Sequence, residues 1–147
     1  MENIRKAVTN DLPRIAEIEL FNYRLNFYPI FKSDWFYFKY LTVPALIKKY
    51  ADEINSFYVY DDGTVKGFVC VEATEIKKLF VEPVLQNKGI GSKLLQFAVE
   101  NGADNLWALE KNTAAIRFYK RYGFRLTGDK KFEEDTTEYL VKLKLEK

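Results

Sequence analysis

The sequence contains no histidine, and that absence excludes several common kinds of active site. A Ser-His-Asp triad and a Cys-His nucleophile pair both need histidine, and with a single cysteine in addition an ordinary zinc site is excluded. Any general base must therefore be a carboxylate, a tyrosine, a lysine or a water molecule. We expect no metal at the functional site.

Cysteine is nearly absent, because Cys70 is the only one in 147 residues. One cysteine cannot form an intramolecular disulfide, which is typical of a reducing compartment. The chain also has no long apolar run, and no apolar stretch follows its charged N-terminal residues, so neither a membrane span nor a signal peptide is predicted. We therefore expect a cytoplasmic protein that does not bind membranes, with Cys70 buried in a strand.

Strong charge bias is absent as well. The net charge is +2 and the lysines are spread along the chain, so a nucleic-acid surface is not indicated. Hydrophobic residues make up 48% and charged residues 30%, which favours a packed core with a polar surface. Because no repeat, low-complexity tract or linker interrupts the sequence, we expect residues 1–147 to form one domain.

Apolar periodicity and turn residues predict alternating helices and strands. We expect helices over 9–27, 33–50, 89–100 and 112–123, the second of them kinked at Pro44, and strands over 3–7, 57–60, 64–71, 75–81, 105–109, 124–127 and 137–145. Hairpins impose antiparallel pairs, whereas the strand-helix-strand unit over 75–109 imposes a parallel crossover. The pattern predicts an α/β (α+β) fold with a mixed central sheet of about seven strands and about four helices.

A glycine-containing loop between strand 75–81 and the next helix is the clearest sign of ligand binding. It reads Gln86-Asn87-Lys88-Gly89-Ile90-Gly91, and the free N–H groups at a helix start favour an anion there. A P-loop is disfavoured because Ser92 precedes Lys93, and a dinucleotide fingerprint is disfavoured because Leu94 stands where Gly or Ala is needed. The loop predicts a phosphate site, with a purely structural tight turn as the alternative.

Two ordered motifs resemble the GNAT superfamily of N-acetyltransferases. Gln86-x-x-Gly89-x-Gly91 is similar to the family's acetyl-CoA motif, Q/R-x-x-G-x-G/A, after the fourth strand. Residues 112–124 are similar to its N-x-x-A-x-x-F-Y-x-x-x-G-F stretch after the fifth. Matching residues extend from about 67 to 124, and nothing in 21–50 matches a family motif. The resemblance implies the GNAT fold, strands four and five splayed apart, and acetyl-CoA as the acyl-donor cosubstrate.

The resemblance also implies roles for individual residues. Pantetheine is expected to pair with the strand backbone at Leu79 and Val81, with the Val81 N–H donating to the thioester oxygen. Asn112 and Tyr119 lie seven residues apart on one helix face and are expected to hold the cosubstrate, with Tyr119 protonating the departing CoA thiolate. A plain helix cap at Asn112 and a core aromatic at Tyr119 are the alternatives. The residues expected to cradle the pyrophosphate are Gln86, Asn87, Lys88, Gly89, Ile90, Gly91 and Ser92.

An acceptor ammonium with a pKa of about 10.4 must lose a proton before it attacks. Glu75 lies eleven positions before Gln86, the offset at which histone-acetylating members of the superfamily carry their glutamate base. Glu72, Glu110 or water are alternative bases. Glu75 could also simply form a solvated pair with Lys77.

The segment 21–50 is rich in aromatics, most of which we expect in the core and the rest in the wall of an acceptor pocket. The leading function is direct transfer of acetyl from acetyl-CoA, in a ternary complex, to a primary amine of a small molecule or a protein. A longer acyl group or a non-amine acceptor is one alternative. A catalytically idle CoA-binding regulatory or scaffold domain is another, since a fold alone does not establish function. A homodimer is compatible with the sequence.

Overall fold

The chain, described over residues 2–146 of a computed structural model, is built on a seven-stranded mixed sheet. Its strands are β1 (Ile4–Lys6), β2 (Phe57–Asp61), β3 (Val65–Glu72), β4 (Glu75–Val81), β5 (Asn105–Leu109), β6 (Phe124–Phe132) and β7 (Tyr139–Leu145). They lie in the order β1-β2-β3-β4-β5-β7-β6, and every neighbouring pair is antiparallel except β4 and β5. The predicted mixed sheet is confirmed, and strands 75–81 and 105–109 have the predicted bounds.

The described residues contain five α-helices: α1 (Leu12–Asn22), α2 (Tyr28–Phe31), α3 (Val43–Tyr50), α4 (Ile90–Glu100) and α5 (Thr113–Arg121). The predicted helix over 9–27 is divided, because the wider π-helical turn Tyr23–Phe27 follows α1. The predicted helix over 33–50 is interrupted, because Leu41 is extended and Thr42 caps a new helix through its hydroxyl. Pro44 therefore lies in the first turn of α3, where proline is tolerated, and the predicted kink there was wrong.

The last hairpin is longer than the sequence suggested. Strand β6 continues past the predicted end at residue 127, and the register of its pairing with β7 shifts between Leu126 and Lys130. Gly128 has a φ of 94°, which only glycine adopts without strain, and it lies within this irregularity. The glycine therefore produces a bulge rather than the end of the strand.

The two faces of the sheet pack against different helices. Ile15 and Ile18 of α1 pack with Phe57 and Phe68 on one face. On the other face, α4 and α5 pack against the sheet and form a second cluster with it. Its members include Leu94, Leu95, Leu106, Tyr119, Phe124 and Leu143. Cys70 is buried as predicted, and burial raises the pKa of its thiol to about 12, which leaves it unreactive as a nucleophile.

Strands β4 and β5 separate soon after they meet. They pair only at Glu75–Asn105 and Ile76–Leu106, and beyond these residues β5 pairs with β7 alone. In β4, Lys77 is an extra residue, because Cys70 lies opposite Lys78 whereas Val71 lies opposite Ile76. Such a bulge bends its strand and increases the local twist. The predicted splay between strands four and five is thus confirmed, with a β-bulge where the strands begin to diverge.

No helix between residues 2 and 146 has both the length and the apolar character needed to cross a membrane.

Candidate active site

The gap between β4 and β5 is a V-shaped cleft of about 910 Å³, a volume typical of small-molecule sites. Its walls are residues 76–81 of β4 and 106–109 of β5. The residues of α1, of the π-helical turn after it and of α5 that line it are Asn22, Tyr23, Asn26, Phe27, Ala114, Ala115, Phe118, Tyr119 and Arg121. The cleft closes at Ile76 and Leu106, so it opens toward the C-terminal ends of both strands.

The backbone of β4 directs hydrogen-bonding groups into the cleft. The Glu82 N–H donates to Lys66 O on the β3 side at 2.9 Å. Because successive residues of a strand direct their N–H and C=O groups to opposite sides, those of Val81 and Leu79 face the cleft. The wall therefore offers an open strand edge at the two positions where the sequence predicted pantetheine to pair.

The Val81 carbonyl is already occupied by two side-chain amides. Asn22 Nδ2 donates to Val81 O at 2.9 Å and Gln86 Nε2 donates to it at 3.2 Å. Gln86 Nε2 also donates to Asn22 Oδ1 at 3.0 Å, which ties the glycine loop to α1. The side chain of Gln86 thus positions the loop, and it is the Val81 N–H that is directed into the cleft.

Asn22 is a site residue that sequence reasoning missed. Asn22 is only 2% exposed. The sequence pattern could have indicated its burial, because Asn22 continues the helical spacing of the buried residues Ile15 and Ile18 in α1. A polar residue on an apolar stripe needs a buried partner, because an unpaired buried amide is costly. Asn22 Nδ2 donates to two carbonyls, Ile18 O at 2.9 Å and Val81 O, while Asn22 Oδ1 accepts from Gln86.

The glycine loop forms the end of the cleft next to α4. Gly89 caps α4 with a φ of 86°, and a Cβ built on it would meet no atom within 4 Å. Ser92 Oγ donates to Gly89 O at 3.0 Å and closes the first turn. The N–H groups at the start of this helix are suited to an anion beside the open space at Gly89.

The seven predicted loop residues are not equivalent. Those that line the cleft are Gln86, Asn87, Gly89, Gly91 and Ser92. Ile90 packs into the core beneath α4, and Lys88 is exposed outside the lining. Any contact of Ile90 with a ligand would therefore come from its backbone.

Tyr119 and Asn112 both line the cleft from α5. Tyr119 packs edge-on against Phe118 and Phe124, and its hydroxyl makes no hydrogen bond within the described part of the chain. Burial raises the pKa of its phenol, so the group keeps its proton through neutral and moderately alkaline pH. Asn112 Oδ1 accepts from the Ala115 N–H at 3.3 Å, which confirms the predicted helix cap.

A buried charged pair joins α1 to β4 beside the cleft. Lys78 Nζ lies 3.2 Å from Oε1 of Glu19, a carboxylate that is fully buried, and donates to the Tyr23 hydroxyl at 2.8 Å. The Tyr50 hydroxyl donates to Glu19 Oε2 at 2.8 Å. Desolvation lowers the pKa of Lys78, but the neighbouring Tyr23 and Glu19 outweigh it, so the pKa is raised and Lys78 stays charged. The pair is electrically balanced, which is the condition for tolerating buried charge.

The three carboxylates considered as bases lie outside the residues that line the cleft. Glu75 is at the closed end, opposite Glu72, with its Oε2 3.5 Å from Lys77 Nζ. Glu110 Oε2 lies 2.7 Å from Lys130 Nζ on the hairpin. Sequence reasoning did not single out the acid that does line the cleft, Glu133.

The aromatic segment 21–50 contributes less to the cleft than its composition suggested. Tyr23 and Phe27 line it, with their ring centroids 4.8 Å apart. Tyr28 and Trp35 lie outside the lining, and Trp35 is 62% exposed. Among residues 2–146, no three His, Cys, Asp or Glu side chains are grouped so as to hold a metal ion.

Comparison with known proteins agrees with this geometry. A model of the GNAT acetyltransferase domain matches residues 53–126. The chain is 31% identical over 134 residues to an uncharacterized N-acetyltransferase of Methanocaldococcus jannaschii, a match that covers 82% of this chain and 59% of that protein. It is 28% identical over 125 residues to the peptidyl-lysine N-acetyltransferase YiaC of Escherichia coli, covering 84% of this chain and 83% of that one.

The fold is also that of a solved structure. The crystal structure of the PaiA N-acetyltransferase from Thermoplasma acidophilum, in complex with coenzyme A, superposes with a TM-score of 0.72 at 21% identity, covering 96% of this chain and 97% of that one. A splayed mixed sheet with a glycine loop at the start of α4 defines the class of the protein as a GNAT fold. The chain belongs to the GNAT acetyltransferase family.

Proposed function

We propose that this chain acts as a single acetyl-CoA-dependent N-acetyltransferase domain, residues 1–147, and transfers acetyl directly to a primary amine of a small molecule or a protein. The observation that carries the proposal is the cleft between β4 and β5, in which an open strand edge leads to a glycine loop at a helix start. The single buried thiol of Cys70 fits a cytoplasmic location, which we include in the proposal.

The lining residues fit a CoA thioester. The backbone N–H groups of Leu79 and Val81 would bind the pantetheine and the thioester oxygen, as an added strand binds to a sheet edge. The loop from Gln86 to Ser92 would hold the pyrophosphate through backbone N–H groups, with Asn112 and the small residues of α5 on the other side of the cleft. Acetyl-CoA, when bound, supplies an activated acyl group.

Tyr119 and a carboxylate would manage the two protons of the reaction. Tyr119 keeps its proton because it is buried, and its hydroxyl is available to the leaving sulfur. Glu75 remains our proposed base, accepting the proton of the acceptor ammonium through a chain of ordered water molecules, because it lies at the closed end of the cleft, six residues along β4 from Val81. The proton on the acceptor nitrogen must leave before this nitrogen can attack.

The acceptor is proposed to be an amine partly by analogy. The relative YiaC is named a peptidyl-lysine N-acetyltransferase, and the chain matches most of its length. Tyr23, Phe27 and the turn that carries Glu133 line the part of the cleft on the α1 side, where an acceptor would enter.

Release of free thiol from acetyl-CoA against a panel of amines tests the function. We expect amine-dependent thiol release, and mass spectrometry should identify the acetylated amine. Binding of CoA without thiol release from any amine would contradict the proposal and favour a CoA-binding regulatory or scaffold domain.

A further inference from the structure

The rim of the cleft carries a carboxylate to which no role has been assigned. Among residues 2–146, Glu133 is the only acidic residue that lines the cleft. Its N–H donates to Glu138 O at 2.8 Å, one step beyond the Phe132–Tyr139 pair. The Thr136 N–H and hydroxyl donate to Glu133 O at 3.0 and 2.9 Å. The residue is therefore held in a hydrogen-bonded turn between β6 and β7.

Glu133 lies at the entrance of the cleft and not at its closed end. Leu140 pairs with Leu109, the last residue of β5, and Glu138 is two residues beyond Leu140, about 7 Å along the strand. Burial, and after it the negative charge of Glu133, raises the pKa of Tyr37 to about 12. Glu133 lines the same cleft as Tyr23 and Phe27 of the π-helical turn after α1, the side on which we propose that an acceptor enters.

Of the three cations that line the cleft among the described residues, two are engaged by other carboxylates. Lys78 is paired with Glu19, and Lys77 lies beside Glu75 at the closed end. The third, Arg121, is the last residue of α5, and within residues 2–146 it forms no ion pair with Glu133. Within the described part of the chain Glu133 forms no ion pair, and its Oε1 accepts only the Glu134 N–H, at 3.0 Å, so a carboxylate without a charged partner lies at the rim.

We propose that Glu133 binds a second positive charge of the acceptor, so that the preferred acceptors are diamines or larger amines with an ammonium group besides the reacting nitrogen. The inference rests on the proposed transfer to an amine. An ammonium bound by Glu133 is stabilised in its charged form and does not attack, so it is not the reacting nitrogen. A carboxylate at the rim instead holds a remote ammonium and orients the acceptor with its reacting end inward.

Two acceptors that differ by one ammonium group test this role: 1,5-diaminopentane and n-pentylamine. In the wild-type protein we expect kcat/KM for the diamine to exceed that for the monoamine by about tenfold or more, as for a charge-assisted contact. Glu133→Gln should remove this preference by raising the KM of the diamine much more than the KM of n-pentylamine.

Glu134→Gln is the matched control, because it removes a neighbouring carboxylate of the same turn that does not line the cleft. It should keep the wild-type preference. Absence of a preference in the wild type, or an equal loss for both acceptors in Glu133→Gln, would overturn the inference while leaving N-acetyl transfer intact. If neither amine causes thiol release from the wild type, and no other amine does, the proposed function itself fails.

Discussion

At the scale of single residues, Tyr119 is a weaker acid than the thiol whose anion it would protonate. Burial raises the pKa of its phenol above the usual value of about 10, whereas a thiol has a pKa of about 8.5. Complete proton transfer to the sulfur is therefore unfavourable, and the hydroxyl contributes mainly as a hydrogen-bond donor. Deprotonation of the acceptor, with a pKa of about 10.4, is the harder of the two proton transfers.

This difference predicts unequal effects of two substitutions on kcat/KM. Tyr119→Phe should lower it by about 10²-fold, the lower end for general acid-base groups, and by a similar factor from about pH 6 to 9. Glu75→Gln should cost more near neutral pH, up to about 10⁴-fold, and the loss should shrink as pH rises and free amine accumulates. Steady-state kinetics of both variants across this pH range provide the measurement.

A pH-independent loss in Glu75→Gln would assign Glu75 to positioning the acceptor or supporting β4. The base would then be sought at Glu72, Glu110 or an ordered water. Glu133 gives a different signature, because its loss is expected to depend on the charge of the acceptor.

At the scale of elements, the loop before α4 can be tested without disturbing the core. Gly89→Ala places a methyl group in open space at a φ of 86°, where a residue other than glycine costs about 1–2 kcal/mol. We expect this loss of stability together with CoA affinity at least tenfold weaker, since the methyl group would occupy the path of the phosphates. Urea unfolding and calorimetric titration with CoA measure the two effects.

Gly63→Ala is the matched control for the loop. Gly63 also has positive φ, 116°, and a Cβ there also meets no atom within 4 Å, but it lies in the β2–β3 turn away from the cleft. It should lose similar stability and bind CoA normally. Equal CoA affinity in both variants would show that the loop before α4 does not bind the phosphates.

The elements next to the glycine loop were the most predictable from sequence. Strand β4, helix α4 and strand β5 have clear periodicity and strong turn residues, and their bounds agree with the prediction within one residue. The bulge at Lys77 was not predictable, because it depends on pairing with β3 and leaves no mark on the alternation within β4. Pro44 was misread because a proline at the start of a helix and one inside it look alike until the preceding cap, Thr42, is identified.

The site was predictable where it is local in sequence and not where it is assembled from distant segments. Val81, Gly89 and Tyr119 were singled out from the motifs and the resemblance, and all three line the cleft, while their roles stay predictions. Asn22 and Glu133 are brought to the cleft by α1 and by the last hairpin, far away in the chain. Asn22 at least interrupted an apolar stripe, whereas Glu133 is one of several exposed-looking acids in a turn.

At the scale of the whole molecule, an ion-pair network joins the start of the chain to the end of β2. Arg5 on β1 donates to Asp11 at 2.8 and 3.0 Å and to Asp61 at 2.9 Å. Its hydrogen bonds lower the pKa of Asp11, and the pKa of Asp61 is lowered first by the Gly63 N–H and then by Arg5. Two carboxylates with depressed pKa values stabilise the fold above the unfolded value of about 3.9, and this contribution is lost as pH falls through the folded values.

Arg5→Gln should therefore lower the free energy of unfolding near pH 7 by about 1 kcal/mol, a small amount because the pairs are partly exposed. It should also make stability less dependent on pH below about pH 4, since part of the pKa depression is gone. Urea unfolding at several pH values measures both effects. Lys6→Gln removes the same charge from β1 without this network and should behave as wild type, and an identical pH dependence in both variants would contradict the assignment.

The amide pair of Asn22 and Gln86 has a consequence for the empty protein. These side chains donate hydrogen bonds to the Val81 carbonyl, which a neighbouring strand would otherwise do. The cleft between β4 and β5 therefore stays open without a ligand. A ligand that adds to β4 then has no strand pair to break and only displaces water, so the site is preorganised. An exposed strand edge normally promotes aggregation by pairing with another sheet. The open edge of β4 lies inside the cleft, where a narrow extended molecule can reach it and a second sheet cannot.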